Sequence, residues 1–173
     1  MKHLFLTGRK QVGKSTLLNK VMEACGLDVT GFRTCPIYIG EAKRGYSMHA
    51  FCDVPDWMND FIICARVGEQ RIVAVPDAFD RNGTALLQAC RRENKRWFLM
   101  DEIGKAENKS PAYCHEILDI LDSDIHVLGI LQDCRSELVA QIKAREDVWL
   151  ITVDEENRDT LLPDIVKWVG AQA

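Results

Sequence analysis

Short apolar runs alternate along the chain with stretches whose apolar residues recur at helical spacing. The runs predict five core strands, at residues 3–7, 71–75, 96–101, 126–131 and 148–153. Several are apolar at consecutive positions, as strands covered on both faces are. Residues 15–25 and the segment that follows Ser110-Pro111 have the amphipathic pattern of helices. This alternation predicts an α/β protein with a mostly parallel sheet flanked by helices.

Residues 28–65 interrupt this rhythm. They are rich in β-branched and aromatic residues and carry turn signals at Gly40 and at Lys43-Arg44-Gly45. We predict an antiparallel hairpin or small meander there, a subdomain within one domain that spans residues 1–173. The amphipathic stretch from Glu155 to Val169 contains Pro163, which either kinks a longer helix or begins a new one near Leu162.

Composition narrows the function classes. The chain has 173 residues, a hydrophobic fraction of 47% and a net charge of -4, which suits a single globular domain. That charge gives no general attraction to nucleic acid or to an anionic membrane, and no apolar stretch predicts a signal peptide or a membrane span. The seven cysteines lack any C-x-x-C pair, so we expect reduced thiols and a cytoplasmic protein.

Residues 8–15, GRKQVGKS, match the P-loop (Walker A) pattern G-x-x-x-x-G-K-[ST], with a predicted strand before them and a predicted helix after. In such a loop the backbone N–H groups surround a phosphate, the lysine reaches the β and γ oxygens, and the serine hydroxyl binds Mg²⁺. Such loops often carry glycine at the place of Gln11, where a positive φ would be costly for a residue with a side chain. The predicted phosphate-binding residues are Gly8, Arg9, Lys10, Gln11, Val12, Gly13, Lys14 and Ser15.

A second stretch supplies acidic residues. The apolar run Trp97-Phe98-Leu99-Met100 leads directly into Asp101 and Glu102. A triphosphate site needs a carboxylate at the end of a core strand as a second anchor for the metal, and Asp101 would hold Mg²⁺ there through water. Glu102 is placed to polarise an attacking water. An apolar run before Asp-Glu is a weak signal alone, and the upstream P-loop gives it meaning.

Four stretches together resemble one family. They are LTGRKQVGKSTL, Gly31-Phe32-Arg33-Thr34, LMDEIGKAENKS and ENRDTLLPDIV, and they are spread over nearly the whole chain. In order and spacing they resemble the small P-loop nucleoside-triphosphatases that include the human cancer-related nucleoside-triphosphatase. The resemblance implies a RecA-like α/β core. It also implies slow, Mg²⁺-dependent hydrolysis of ATP, GTP and other nucleoside triphosphates to diphosphate and phosphate, with relaxed base preference.

The resemblance also extends the candidate site. It adds Thr16 to the phosphate-binding residues, assigns Lys14 and Glu102 to catalysis, and suggests further contacts at Lys105 and at Arg158, which follows Asn157. The chain departs from the family's usual pattern at three places, which bear on turnover and on substrate preference rather than on nucleotide binding. These departures are Gln11, Cys35-Pro36 and Ala106.

The residues leave rival functions open. Asp101-x-x-Gly104 satisfies the D-x-x-G of GTPase switches, but Asn108-Lys109-Ser110-Pro111 lacks the aspartate of a guanine-reading N-K-x-D and lies too close. A nucleotide or small-molecule kinase would need an acceptor and usually an arginine-rich lid, whereas the basic segment 91–96 better fits a helix end and loop. A nucleotide-binding regulatory module with negligible turnover would act through a partner bound by the hairpin region.

Overall fold

The structure, a computed structural model, describes residues 1–69 and 71–172. Within these ranges it has eight strands: β1 His3–Thr7, β2 Val29–Ile39, β3 Ala42–Ala50, β4 Phe61–Val67, β5 Arg71–Ala74, β6 Trp97–Ile103, β7 His126–Leu131 and β8 Val148–Thr152. The α-helices are α1 Lys14–Cys25, α2 Thr84–Arg92, α3 Pro111–Asp122, α4 Glu137–Lys143 and α5 Leu162–Gly170. Shorter helical turns lie at Asp56–Met58, Ala78–Gly83 and Ala106–Lys109.

All eight of these strands form a single sheet in the order β5-β4-β3-β2-β6-β7-β1-β8. Strands β2, β6, β7, β1 and β8 run parallel, whereas β3, β4 and β5 extend the sheet beyond β2 as antiparallel neighbours. The predicted α/β class with an antiparallel hairpin is therefore confirmed. Because all five parallel strands end at one edge of the sheet, the loops that follow them meet there.

Helices cover both faces of the parallel part, which explains its continuous apolar runs. In β1, Phe5 belongs to the core cluster that contains residues of α2, α3 and α4. Its neighbours Leu4 and Leu6 belong to a second cluster on the other face, with residues of α1 and α5. All three side chains are fully buried. Successive residues of a strand point to opposite faces, so a doubly covered strand must be apolar at each position.

Two predictions in the antiparallel part are wrong. The predicted core strand 71–75 is the edge strand β5, which pairs with β4 and leaves Ile72 41% exposed. The predicted turn at Lys43-Arg44-Gly45 lies inside β3, and the hairpin turns at Gly40, where φ is 59°. Gly45 is required for another reason, because a Cβ there would overlap the carbonyl oxygen of Cys64 on β4.

Helix ends follow local sequence signals. Helix α1 is capped at its C-terminus by Gly26, which has a left-handed backbone. The Gly26 N–H donates a hydrogen bond to the Glu23 carbonyl at 3.2 Å. Pro111 begins α3 as predicted, although the side chain of Ser110 makes no capping hydrogen bond. Pro163 lies in the first turn of α5, so it begins a new helix rather than kinking a longer one.

The prediction that all cysteines are reduced thiols is wrong for one pair. Cys52 follows β3, and Cys90 lies in α2, and the structure joins them in a disulfide with Cα atoms 5.5 Å apart. They are 38 residues apart in sequence, so spacing alone gave no sign of the pairing. Along the described ranges, no helix combines the length and the apolar character needed to cross a bilayer.

Candidate active site at the ends of β1 and β6

The loop between β1 and α1 contains three residues with left-handed backbones. Their φ angles are 127° at Gly8, 63° at Gln11 and 111° at Gly13. The glycines adopt such angles freely, whereas Gln11 pays about 1 to 2 kcal/mol for its side chain. Left-handed residues in a tight turn are the element from which anion-binding backbone concavities are built. The loop therefore has the curvature of a phosphate cradle, at the N-terminus of α1.

The end of β8 supports the start of this loop. The N–H of Val153 donates a hydrogen bond to the Thr7 carbonyl at 2.8 Å. A Cβ on Gly8 would overlap the Val153 carbonyl oxygen, so this position accepts only glycine. Val12 is buried in the core, while Arg9, Lys10, Gln11, Ser15 and Thr16 are exposed. The loop thus has one buried anchor and an open outer surface.

Lys14 folds back over the loop. Its Nζ donates to the carbonyl oxygen of Gly8 at 2.9 Å and to that of Arg9 at 2.6 Å. Burial lowers the pKa of the ammonium, and the nearby carboxylates of Glu102 and Asp101 act in the opposite direction. The cation therefore lies between the loop and the acidic end of β6.

Asp101 meets Ser15 beneath the loop. The Ser15 hydroxyl donates to Asp101 Oδ1 at 3.5 Å, and Arg33 Nε donates to Asp101 Oδ2 at 3.0 Å. Arg33 also donates to Asn19 Oδ1 at 2.5 Å, which fixes the guanidinium against α1. Asp101 is only 4% exposed, and burial raises the pKa of its carboxyl while the Arg33 cation lowers it. The two oxygens thus have separate partners, and Oδ1 faces the serine.

The oxygen atoms of Ser15 and Asp101 suit a hard cation. In residues 1–69 and 71–172, no group of three or more His, Cys, Asp or Glu side chains could hold a metal ion. An ion at Ser15 would therefore take most of its ligands from phosphate and water. Mg²⁺ prefers such an arrangement, with one or two protein oxygens and several waters or phosphate oxygens. The residues present therefore fit Mg²⁺.

Glu102 has a different hydrogen-bond partner from Asp101. The pairing of β6 with β7 shifts register between Met100 and Ile103, so the two acids lie in an irregular part of the ladder. Glu102 has φ 78°, a left-handed angle that a glutamate rarely adopts. Its Oε1 accepts a hydrogen bond from Gln132 Nε2 at 3.0 Å. The irregularity directs one carboxylate to Ser15 and the other toward the end of β7.

Two residues of this site were missed in the sequence. Gln132 directly follows the apolar strand β7, and Arg33 lies in β2 opposite Asp101. A polar residue at the end of a predicted parallel strand was the available signal for Gln132, because such ends meet at one edge. For Arg33, the stretch Gly31-Phe32-Arg33-Thr34 marked the position but not its partner, since the pairing of β2 with β6 is not visible in sequence.

Glu107 is a buried acid beside this site. It is 5% exposed, and its Oε2 accepts a hydrogen bond from the Gly104 N–H at 3.0 Å. Burial raises the pKa of this carboxyl to about 7, despite that hydrogen bond. Glu107 therefore holds the turn after β6, and it does so with a group whose ionisation is unfavourable in the folded chain.

The two remaining candidates are placed differently. Arg158 follows β8, and its Cδ would lie 3.8 Å from a Cβ on Gly13, so the side chain runs alongside the P-loop. Asn157 fixes this segment, because its Nδ2 donates to the Thr152 carbonyl at 2.9 Å and its Oδ1 accepts from the Asp154 N–H at 3.0 Å. Lys105 lies exposed after Gly104, at the start of a helical turn.

Known proteins that are similar in sequence to this chain are nucleoside-triphosphatases. A family model described as NTPase matches residues 3–166. Nucleoside-triphosphatase THEP1 of Thermotoga petrophila is 30% identical over 166 residues, which cover 94% of this chain and 90% of that protein. The cancer-related nucleoside-triphosphatase homolog of Mus musculus is 29% identical over 187 residues, with 95% of each chain covered.

Solved structures give the same picture. The solution structure of a human cancer-related nucleoside triphosphatase superimposes with a TM-score of 0.76 at 26% identity and covers 100% of both chains. The crystal structure of THEP1 from Aquifex aeolicus has a TM-score of 0.73 at 24% identity, over 96% of this chain and 98% of that one. The likeness to these two structures confirms the P-loop NTPase fold.

The raised pKa of Glu107 makes stability depend on pH. The unfolded chain loses this proton near pH 4.5 and the folded chain near pH 7, so stability falls as pH rises between these values. Glu107→Gln keeps a neutral acceptor for Gly104. We expect the free energy of unfolding of this variant, relative to wild type, to rise by about 2 kcal/mol between pH 5.5 and 8.5. Urea denaturation of the nucleotide-free protein measures it.

Glu146→Gln is the matched control, because Glu146 is exposed. Its stability relative to wild type should not change over this pH range. If Glu107→Gln behaves in the same way as the control, the Glu107 carboxyl ionises as readily in the folded chain as in the unfolded chain, and this interpretation is wrong.

Proposed function

This chain belongs to the NTPase family, as its motifs predicted, and we propose that it hydrolyses nucleoside triphosphates to diphosphate and phosphate with Mg²⁺ and relaxed base preference. The observation that carries the proposal is the approach of Ser15 Oγ to Asp101 Oδ1, at 3.5 Å. It brings a P-loop serine and a strand-end carboxylate to one point, with a second carboxylate at the next residue. Phosphoryl transfer to water needs these parts.

In this proposal the P-loop binds the phosphates. The backbone N–H groups of residues 8–15 and the N-terminus of α1 receive the negative charge, and Thr16 extends the contact on the helix. Lys14 exchanges the carbonyl oxygens of Gly8 and Arg9 for the β and γ oxygens. Because its ammonium already contacts the loop carbonyls of Gly8 and Arg9, little reorganisation is needed when the nucleotide arrives.

The metal position follows from Ser15 and Asp101. Ser15 would bind Mg²⁺ directly, and Asp101 would hold it through water. The metal would neutralise part of the charge that develops on the terminal phosphate. Arg33 keeps Oδ2 of Asp101 occupied, so Oδ1 faces the serine. Such a partner behind a metal-binding carboxylate fixes its orientation.

Glu102 orients the attacking water. In the step, the water oxygen forms a bond to the terminal phosphorus as the bond from that phosphorus to the bridging oxygen breaks. The products are the nucleoside diphosphate and phosphate, and the water protons leave with them. Positioning of this water by a carboxylate is a contribution of about 10² to 10⁴ in rate for groups of this kind.

Arg158 is proposed to contact the nucleoside. In the sheet, β6 and its acids lie on one side of β1, whereas β8 and the segment that carries Arg158 lie on the other. The terminal phosphate belongs on the acidic side, so the nucleoside leaves the loop on the Arg158 side. A planar guanidinium can stack on any base, which supports relaxed base preference. Lys105, which is exposed after Gly104, is proposed as a further phosphate contact.

The rival functions gain no specific support. The basic segment 91–96, considered as a kinase lid, includes the end of α2, and two of its four cations form ion pairs. Arg91 contacts Glu116 at 3.4 Å, and Lys95 contacts Asp28 at 2.8 Å. We propose one catalytic domain that works in the cytoplasm, where most thiols are reduced, with nucleoside triphosphates as substrates and without a nucleic acid or membrane partner.

Two variants test the division of labour in the site. Lys14→Ala should lower ATP affinity on the order of 100-fold, because a charged donor to the phosphates is lost. Glu102→Gln should keep ATP affinity within about twofold of wild type and lower Mg²⁺-dependent phosphate release on the order of 100-fold. Calorimetry measures binding, and a phosphate-release assay with and without Mg²⁺ measures turnover.

Glu146→Gln serves as the control, since it makes the same chemical change on the surface. Unchanged turnover in Glu102→Gln would remove Glu102 from the mechanism. Nucleotide binding with no release from the wild-type chain would contradict the hydrolase function and favour a kinase that lacks its acceptor or a regulatory module.

Arg158→Ala tests the nucleoside contact. We expect this variant to bind ATP and GTP about fivefold more weakly, the loss of one stacking cation, and to bind inorganic tripolyphosphate as wild type does. Competition against a fluorescent nucleotide measures all three affinities. An equal loss for tripolyphosphate would show that Arg158 contacts phosphate instead, and unchanged affinities would place Arg158 outside the site.

A further inference from the structure

The side chain of Gln132 lies at the end of β7 between Glu102 and Gly104. We propose that Gln132 is the positioning residue of the reaction, which holds the Glu102 carboxylate in the orientation that aligns the attacking water. This inference rests on the proposed hydrolysis of nucleoside triphosphates, and it assigns to Gln132 a role that acts through Glu102.

The first observation is a direct hydrogen bond. Gln132 Nε2 donates to Glu102 Oε1 at 3.0 Å. The backbone of Gln132 is itself fixed, because its N–H donates to the Ile103 carbonyl at 2.8 Å. Ile103 pairs with Leu131 where the two strands resume their ladder after the register shift. Gln132 is thus anchored to the ends of both β7 and β6. Its amide fixes the position of Glu102 Oε1, while Oε2 of Glu102 stays available for water.

The second observation is the glycine beside it. A Cβ on Gly104 would overlap the Oε1 atom of Gln132, and Cδ as well. The φ angle of Gly104 is not positive, so its backbone conformation does not require glycine. A Cβ at this position would instead displace the Gln132 side chain. The Gly104 N–H donates a hydrogen bond to Glu107 Oε2 at 3.0 Å, which fixes the backbone of Gly104 beside the Gln132 side chain.

The third observation is the conformation of Glu102. Its φ of 78° is unfavourable for a side chain, and such strain persists where the surroundings fix it. A free glutamate also loses about 1 kcal/mol or more when its rotamers are fixed. A hydrogen bond made before the substrate binds removes that cost from the reaction step. The amide is neutral, so it orients Glu102 without cancelling the negative charge that attracts water.

The experiment compares three variants by kcat and by nucleotide affinity. Gln132→Met keeps nearly the same volume and loses the donor, and Gln132→Glu keeps the shape and places a like charge against Glu102. Both should lower kcat about tenfold or more and keep ATP affinity within about twofold of wild type. Gly104→Ala should lower kcat by a similar factor, because its Cβ displaces the Gln132 amide while the Gln132 residue itself is retained.

A double-mutant cycle separates this role from a merely structural one. In a Gln132→Ala background, Gly104→Ala should change kcat by less than about twofold, since the side chain that it displaces is already gone. An equal loss in both backgrounds would show that the glycine acts by another route and would overturn the inference. A kcat within twofold of wild type in Gln132→Met, or a loss carried by ATP affinity, would overturn it too.

Failure of this inference is distinguishable from failure of the proposed function. If wild type releases phosphate, Glu102→Gln does not, and Gln132→Met behaves as wild type, hydrolysis stands and only the role of Gln132 is refuted. If wild type binds nucleotide and releases no phosphate, both are refuted.

Discussion

The parallel alignment of β1, β7 and β6 is the constraint on which the rest of the site depends. Leu128 of β7 pairs with Leu4 of β1 on one side and with Leu99 of β6 on the other, so the strands that carry both motifs end at one edge. Ser15 and Asp101 are 86 residues apart in sequence, yet their side-chain oxygens lie 3.5 Å apart. No local interaction could join them. Burial of the apolar strands does, and the core therefore sets the geometry of the chemistry.

The strained parts of the site border on that core. Gln11 precedes Val12, which is 7% exposed, and Glu102 lies between Asp101 and the fully buried Ile103. Packing of these neighbours fixes the chain on at least one side of each left-handed residue, so unfavourable backbone angles persist where they direct a side chain or curve the loop. The same core makes Asp101 costly to ionise, and Arg33 offsets part of that cost.

The sequence could predict the features that depend on a single short segment. Strands β1 and β7 lie at their predicted bounds because continuous apolar runs mark doubly covered strands. The P-loop carries its chemistry in one short stretch, although the roles of its residues remain predictions. The contacts of Gln132 and Arg33, the edge position of β5 and the Cys52–Cys90 pair could not be foreseen. Each depends on strand register or on distant packing, which no single segment of sequence contains.

The most direct test of the account is a crystal structure of the chain with Mg²⁺ and a non-hydrolysable ATP analogue. We expect the triphosphate to lie against residues 8–15, with Lys14 moved from its loop carbonyls onto the β and γ oxygens. We expect Mg²⁺ about 2.1 Å from Ser15 Oγ, with Asp101 beyond a bound water. A nucleotide bound elsewhere, or a metal that contacts neither Ser15 nor the water held by Asp101, would contradict it.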